Sequence, residues 1–82
     1  MERAFFVEAI AMAERHVAQG YKHIASQRQI IANFKKRGID LTLAESLLES
    51  FLAIQQTHEY DLRRLTNELN KLADSESGIR SG

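Results

Sequence analysis

The 82-residue chain contains no cysteine, no proline and no tryptophan. The lack of cysteine excludes disulfides, thiolate catalysis and zinc–thiolate sites. The lack of proline leaves nothing in the sequence that forbids long uninterrupted helices. The chain also has no net charge, because eleven basic residues balance eleven acidic ones. This balance argues against nucleic acid or an anionic membrane as a partner, since attraction to either needs a field of one sign.

Long apolar runs are absent too. The apolar stretch near the N-terminus, from Ala4 to Val7, is interrupted by Glu8. It is too short to cross a bilayer and does not have the form of a signal peptide. We therefore expect a cytoplasmic protein with no membrane partner. The helix formers Ala, Leu, Glu, Gln, Arg and Lys dominate what is present, which predicts an all-α fold.

One turn is clearly marked, over residues 38–42. Gly38 follows three cations, a pattern typical of a helix that ends in a left-handed glycine. Thr42 and Glu45 have the spacing of a capping box, in which each side chain bonds to the other's backbone N–H. Asp40 is the rival N-cap. The segment predicts the end of one helix and the start of another.

The turn separates two segments that are predicted as helices over about 2–37 and 43–73. In both, apolar residues recur at alternating steps of three and four, the heptad pattern of helices packed lengthwise. A break at Gly20 would give three helices instead of two. We expect one continuous helix, because the heptad phase is the same on both sides of Gly20. The Ser- and Gly-rich tail over 74–82 is expected to be disordered.

Folding the segments about the turn predicts an antiparallel hairpin with a polar middle. Its register places Gly20 opposite His58, with Gln27 and Gln55 within two turns of that level. A two-helix hairpin cannot enclose a core, yet apolar residues surround both helices near the ends. We therefore expect a homodimer that forms a four-helix bundle, with heteromeric docking as the alternative. The residues expected at this interface are Phe5, Phe6, Met12, Leu47, Phe51 and Ile54.

Three histidines, His16, His23 and His58, are the candidates for a metal site. His16 and His23 are seven residues apart and share a helix face, and His58 lies on the seam between their levels. Imidazole binds Zn, Cu, Ni or haem iron, so a metal or haem site is one interpretation. A second is a polar layer in which His58 bonds to Gln27 or Gln55 and fixes the register. A third is a pH-responsive layer.

His58 and Glu59 together resemble the start of the phospho-acceptor helix of sensor kinases, which is itself a dimeric helical hairpin. The resemblance covers two residues, and the proline expected a few residues later is absent. No nucleophile–base pair, glycine-rich phosphate loop or carboxylate dyad occurs in the chain either. An enzyme is therefore not expected.

Two stretches, 16–28 and 38–48, resemble a family of small, uncharacterised bacterial helical proteins. The first has the pattern H-x-x-x-G-x-x-H-I-x-x-Q-R. The second has a Gly-x-Asp-Thr-like turn, interrupted here by Leu41, and a Gln-x-x-His pattern follows at Gln55 and His58. No activity is established for that family, so the resemblance implies a small stand-alone protein and no reaction, substrate or partner.

The sequence as a whole predicts a non-enzymatic helical interaction or scaffold module that acts as a homodimer. A regulatory role and a protein partner are compatible with this prediction. The alternative is a small metal- or haem-binding or pH-sensing protein that uses the histidine layer.

Overall fold

The protein is a hairpin of two long antiparallel helices. The computed structural model describes the backbone of residues 2–81 and the side chains of residues 2–76. Helix α1 spans Glu2–Lys36 and helix α2 spans Thr42–Ser81, with no strand in the described part of the chain. The molecule measures 68 × 15 × 15 Å. The predicted all-α hairpin is confirmed.

Both helices are continuous, and α2 is longer than predicted. Helix α1 passes through Gly20 without a break, so the three-helix alternative is wrong. The predicted disordered tail over 74–82 is helical as far as Ser81, and the final residue lies outside the described range. Arg3 Nη2 donates to Glu76 Oε2 at 2.7 Å, which ties this extension of α2 to the start of α1.

The end of α1 is a Schellman motif, in which two backbone N–H groups beyond the helix bond back to carbonyls of its last turn. Gly38 has a φ of 70°, the left-handed conformation that a residue with a Cβ avoids. The N–H of Ile39 donates to the carbonyl of Phe34 at 2.9 Å, and that of Gly38 donates to Lys35 at 3.3 Å. The predicted glycine ending is confirmed.

The start of α2 is capped by Asp40 and not by the predicted capping box. Asp40 Oδ1 accepts from the backbone N–H of Thr42 at 3.0 Å and from its hydroxyl at 2.8 Å. The N–H of Glu45 instead donates to the carbonyl of Leu41 at 2.8 Å, so Thr42 does not cap it. The backbone N–H of Thr42, and then its hydroxyl, lower the pKa of the Asp40 carboxyl below its ordinary value of 3.8.

The seam between the helices is narrow. Among the described residues, only two alanines and two glutamines are buried, and no large side chain is completely enclosed. These four residues are Ala13, Gln27, Ala44 and Gln55. The chain exposes 6435 Å² of surface. A globular monomer of 9.3 kDa has a solvent-accessible surface of about 5,000 Å². This hairpin has a larger one and leaves much of its apolar surface exposed to solvent.

Candidate interface and histidine cluster

Gln55 locks the centre of the hairpin. Its side chain is only 3% exposed, and its Nε2 donates to the backbone carbonyl of Val17 at 2.9 Å. Its Oε1 is buried without a conventional hydrogen-bond partner. That oxygen lies where a Cβ on Gly20 would be, so a Cα hydrogen of Gly20 points at it. A Cα–H···O contact of this kind is weakly favourable, and it explains why a helix interior contains this glycine.

Gln27 makes the reciprocal contact nearer the turn. It is also buried, and its Nε2 donates to the carbonyl of Ala44 at 2.9 Å. Each helix therefore contributes one glutamine that bonds to the backbone of the other helix. We call these two hydrogen bonds, Gln27 to Ala44 and Gln55 to Val17, the glutamine clamps. The sequence shows both glutamines as polar positions on an apolar seam, but their bonds to the opposite backbone were not predicted.

The predicted pairing of His58 with Gly20 is wrong, because Gln55 occupies that place. The carboxamide of Gln55 fills the space beside Gly20. His58 lies about one turn further along α2, so its ring meets that of His16 instead. His58 is half-buried. Its predicted hydrogen bond to Gln27 or Gln55 is also absent from the described contacts, since both amides donate to backbone carbonyls.

The three histidines do meet at one cleft, as their spacing predicts. The cleft has a volume of about 210 Å³ and is lined by His16, Gln19, Gly20, His23, Phe51, Ile54 and His58. The ring centroids of His16 and His58 are 5.2 Å apart, with 40° between the ring planes. The ring of His23 lies 5.8 Å from that of Phe51. His16 and His23 are exposed, so imidazole groups are accessible at the cleft mouth.

The described residues of one chain do not bring three metal ligands together. In the part of the chain that the structure describes, no three His, Cys, Asp or Glu side chains are grouped closely enough to hold one. Asp61 lines the neighbouring groove together with His16 and His58, yet it does not complete such a group. A metal or haem role for His16, His23 and His58 therefore stays a prediction.

The cleft opens on the side of the hairpin that presents most of the predicted interface. We call this side the histidine face. A neighbouring groove on the same face is lined by Phe5, Met12 and His16 among others. Phe5 and Met12 are exposed there, and so are Ile54 and, seven residues before it, Leu47. The other two predicted interface residues, Phe6 and Phe51, are half-buried.

The charges of the histidine face lie at its margins, where one groove contains Arg15 and Lys22 and another contains Asp61 and Arg64. On α1, the residues that recur on this face at steps of three and four form a row that is uncharged when its histidines are neutral. The row consists of Phe5, Ala9, Met12, His16, Gln19, His23, Ser26 and Ile30. On α2 the corresponding row is uncharged from Leu47 to Thr57, and its first charged members are Asp61 and Arg64. A groove on the opposite side combines the charged Arg28 and Glu59 with exposed apolar residues such as Tyr21 and Leu52.

Comparison with known proteins gives no match to a family model, a curated protein or a solved structure. The resemblance to a bacterial family that the sequence shows therefore stays a prediction. Within the described residues, neither helix has an apolar stretch long enough to cross a lipid bilayer.

Proposed function

We propose that this chain is a non-enzymatic interaction module that associates with a second copy of itself through the histidine face. The exposed apolar side chains that recur along this face on both helices, Phe5, Met12, Ile30, Leu47 and Ile54, carry this proposal. Helices with such a row are normally buried on that side. A closed pair of hairpins would form a four-helix bundle, in which each hairpin supplies the second layer that the other lacks.

The exposed area is large enough for such an association. The chain exposes roughly 1,400 Å² more than a globular monomer of its mass. A stable interface of standard size removes about 800 Å² from each partner. Burial of the histidine face alone would therefore bring the chain toward the surface area of an ordinary folded protein.

A second copy fits the face better than an unlike partner because the face complements itself. Bulky apolar side chains stand toward both ends of the α1 row, with Phe5 and Met12 at one end and Ile30 at the other. A two-fold axis across the middle of this row lays Phe5 of each copy over Ile30 of the other, and Met12 over His23. Residues near the axis meet their own copies, and the charged groups that this face would bury, Asp61 and Arg64, lie 4.0 Å apart and can remain paired.

The test is the mass of the purified chain in solution. Sedimentation equilibrium at micromolar concentration is expected to give a dimer for the wild type. Ile54→Glu introduces a charge on the histidine face and is expected to give a monomer. Tyr60→Glu is the matched control, because Tyr60 lies on the same helix, is similarly exposed (58% against 51% for Ile54) and does not line the cleft.

Circular dichroism of both variants checks that the helices remain. A wild type that stays monomeric throughout the concentration series would contradict the proposal and would favour docking of an unlike partner. Equal dissociation of the two variants would contradict the assignment to this face.

Metal binding is the second candidate function, and the spacing of His16 and His58 favours it.

A further inference from the structure

The rings of His16 and His58 are close enough for both to bind one metal ion. Zinc binds imidazole nitrogen at about 2.0–2.1 Å in tetrahedral sites. Since a ring centroid lies about 1.1 Å behind its nitrogen, two imidazoles on one tetrahedral ion have centroids about 5.2 Å apart. The distance between the His16 and His58 centroids is 5.2 Å. Both rings line the same cleft on the histidine face.

The remaining ligands cannot come from His23 of the same chain. His23 follows His16 by seven residues, which is about 10 Å along a helix. Two imidazoles that far apart do not share one ion. His23 also lies against Phe51 rather than against the other two histidines. A single chain therefore supplies two ligands, and a tetrahedral site needs two more.

The proposed homodimer would supply them. A two-fold axis that passes beside His16 and His58, which line one cleft, meets this need. It brings the same two imidazoles of the second copy to the same level, which makes four nitrogen ligands around the axis.

We propose that the dimer binds one zinc-class divalent ion at its two-fold axis, through His16 and His58 of both copies. This inference rests on the proposed self-association. Four neutral imidazoles in a tetrahedral arrangement suit Zn²⁺, and Co²⁺ can replace it as a spectroscopic probe. The ion would couple binding to assembly, so that zinc strengthens the dimer and the dimer strengthens zinc binding.

The experiment uses the full chain with any affinity tag removed, first treated with EDTA and then titrated with ZnCl₂ at pH 7.5. Elemental analysis after dialysis is expected to give one zinc per two chains. Sedimentation equilibrium is expected to show a dimer dissociation constant at least tenfold lower with zinc than with EDTA, within the usual range of about 5- to 150-fold for such coupling. Bound Co²⁺ is expected to give the absorption of a tetrahedral site.

His16→Ala and His58→Ala are expected to lose the bound zinc and the effect of zinc on the dimer. His23→Ala is the matched control, since it removes an imidazole from the same cleft that cannot reach the ion. Circular dichroism confirms that each variant is folded. Zinc retained by His16→Ala, or lost equally by His23→Ala, would overturn the assignment of the ligands.

The outcomes separate this inference from the proposed function. A dimer that forms equally well in EDTA and binds no zinc would overturn the metal site and leave self-association standing. One zinc bound per monomeric chain would overturn the shared site. A chain that stays monomeric with and without zinc, and binds none, would overturn both.

Discussion

The Gln55 carboxamide oxygen occupies the position that a side chain on Gly20 would take, so one helix fills a gap left in the other. The amide nitrogen of the same group donates to the Val17 carbonyl on α1. The almost fully buried side chain thus has a hydrogen bond for its amide nitrogen, whereas its oxygen has no conventional hydrogen-bond partner. This contact sets the level at which the two helices meet.

Gly20→Ala is expected to lower the free energy of unfolding by about 1–2 kcal/mol, because the added Cβ would lie 2.6 Å from Gln55 Cδ and would displace a buried, hydrogen-bonded amide. Helix propensity alone predicts the opposite, a gain of about 1 kcal/mol. The double variant Gly20→Ala/Gln55→Ala removes the clash and should be more stable than Gly20→Ala. Urea unfolding of the wild type, Gly20→Ala, Gln55→Ala and the double variant at one protein concentration completes a double-mutant cycle. A higher free energy of unfolding for Gly20→Ala than for the wild type would contradict the contact.

Gln27→Ala is expected to lower the free energy of unfolding by about 2 kcal/mol, since it removes a buried side chain and its bond to the Ala44 carbonyl. Gln29→Ala makes the same chemical change at an exposed position of the same helix and should cost no more than about 0.5 kcal/mol. Urea unfolding measures both. Similar losses in the two variants would show that the Gln27 clamp adds no stability.

Gly38→Ala is expected to destabilise the hairpin by about 1–2 kcal/mol, because Gly38 has a φ of 70° and a Cβ is strained in that conformation. There is open space around the position, so no clash adds to this cost. Gly38→Asn is the control, since asparagine tolerates the left-handed conformation better and should lose less. Thermal melts rank the three proteins, and an unchanged Gly38→Ala would contradict the Schellman ending.

Asp40→Ala is expected to lower the melting temperature at pH 6, because it removes the acceptor that bonds to both polar groups of Thr42. The pKa of Asp40 is lowered in the folded state, so its contribution is complete above the ordinary value of 3.8 and is lost as the pH falls through the folded value. The difference between wild type and Asp40→Ala should therefore narrow below pH 4. Asp40→Asn keeps an acceptor and should fall between them at pH 6. A difference that does not change with pH would contradict the role of the charge.

The turn could be predicted from the sequence because its signals are local. Gly38 must be left-handed whatever the rest of the chain does, and the cations before it suit a helix end. The cap was less predictable, since Asp40 and Thr42 are both good N-caps and differ by two positions. The hydroxyl of Thr42 donates to Asp40, which decides between them.

The register of the hairpin could not be predicted from the apolar pattern. Positions on the seam recur every three or four residues, so a slip of one turn matches apolar side chains almost equally well. The specific contact between Gly20 and Gln55 sets the observed level, and it depends on side-chain shape. For the same reason the spacing of the histidines predicted that they share a cleft but not that His58 lies beside His16.

The short turn and the contacts at increasing distance from it determine the order in which the hairpin folds. The first glutamine clamp joins residues 17 positions apart in the chain, the second joins residues 38 apart, and the Arg3–Glu76 ion pair joins residues 73 apart. Because the entropy lost on closing a loop grows with its length, each contact shortens the loop that the next must close. The hairpin should therefore fold as a zipper that starts at the turn, and it should fray from the end where Arg3 and Glu76 meet.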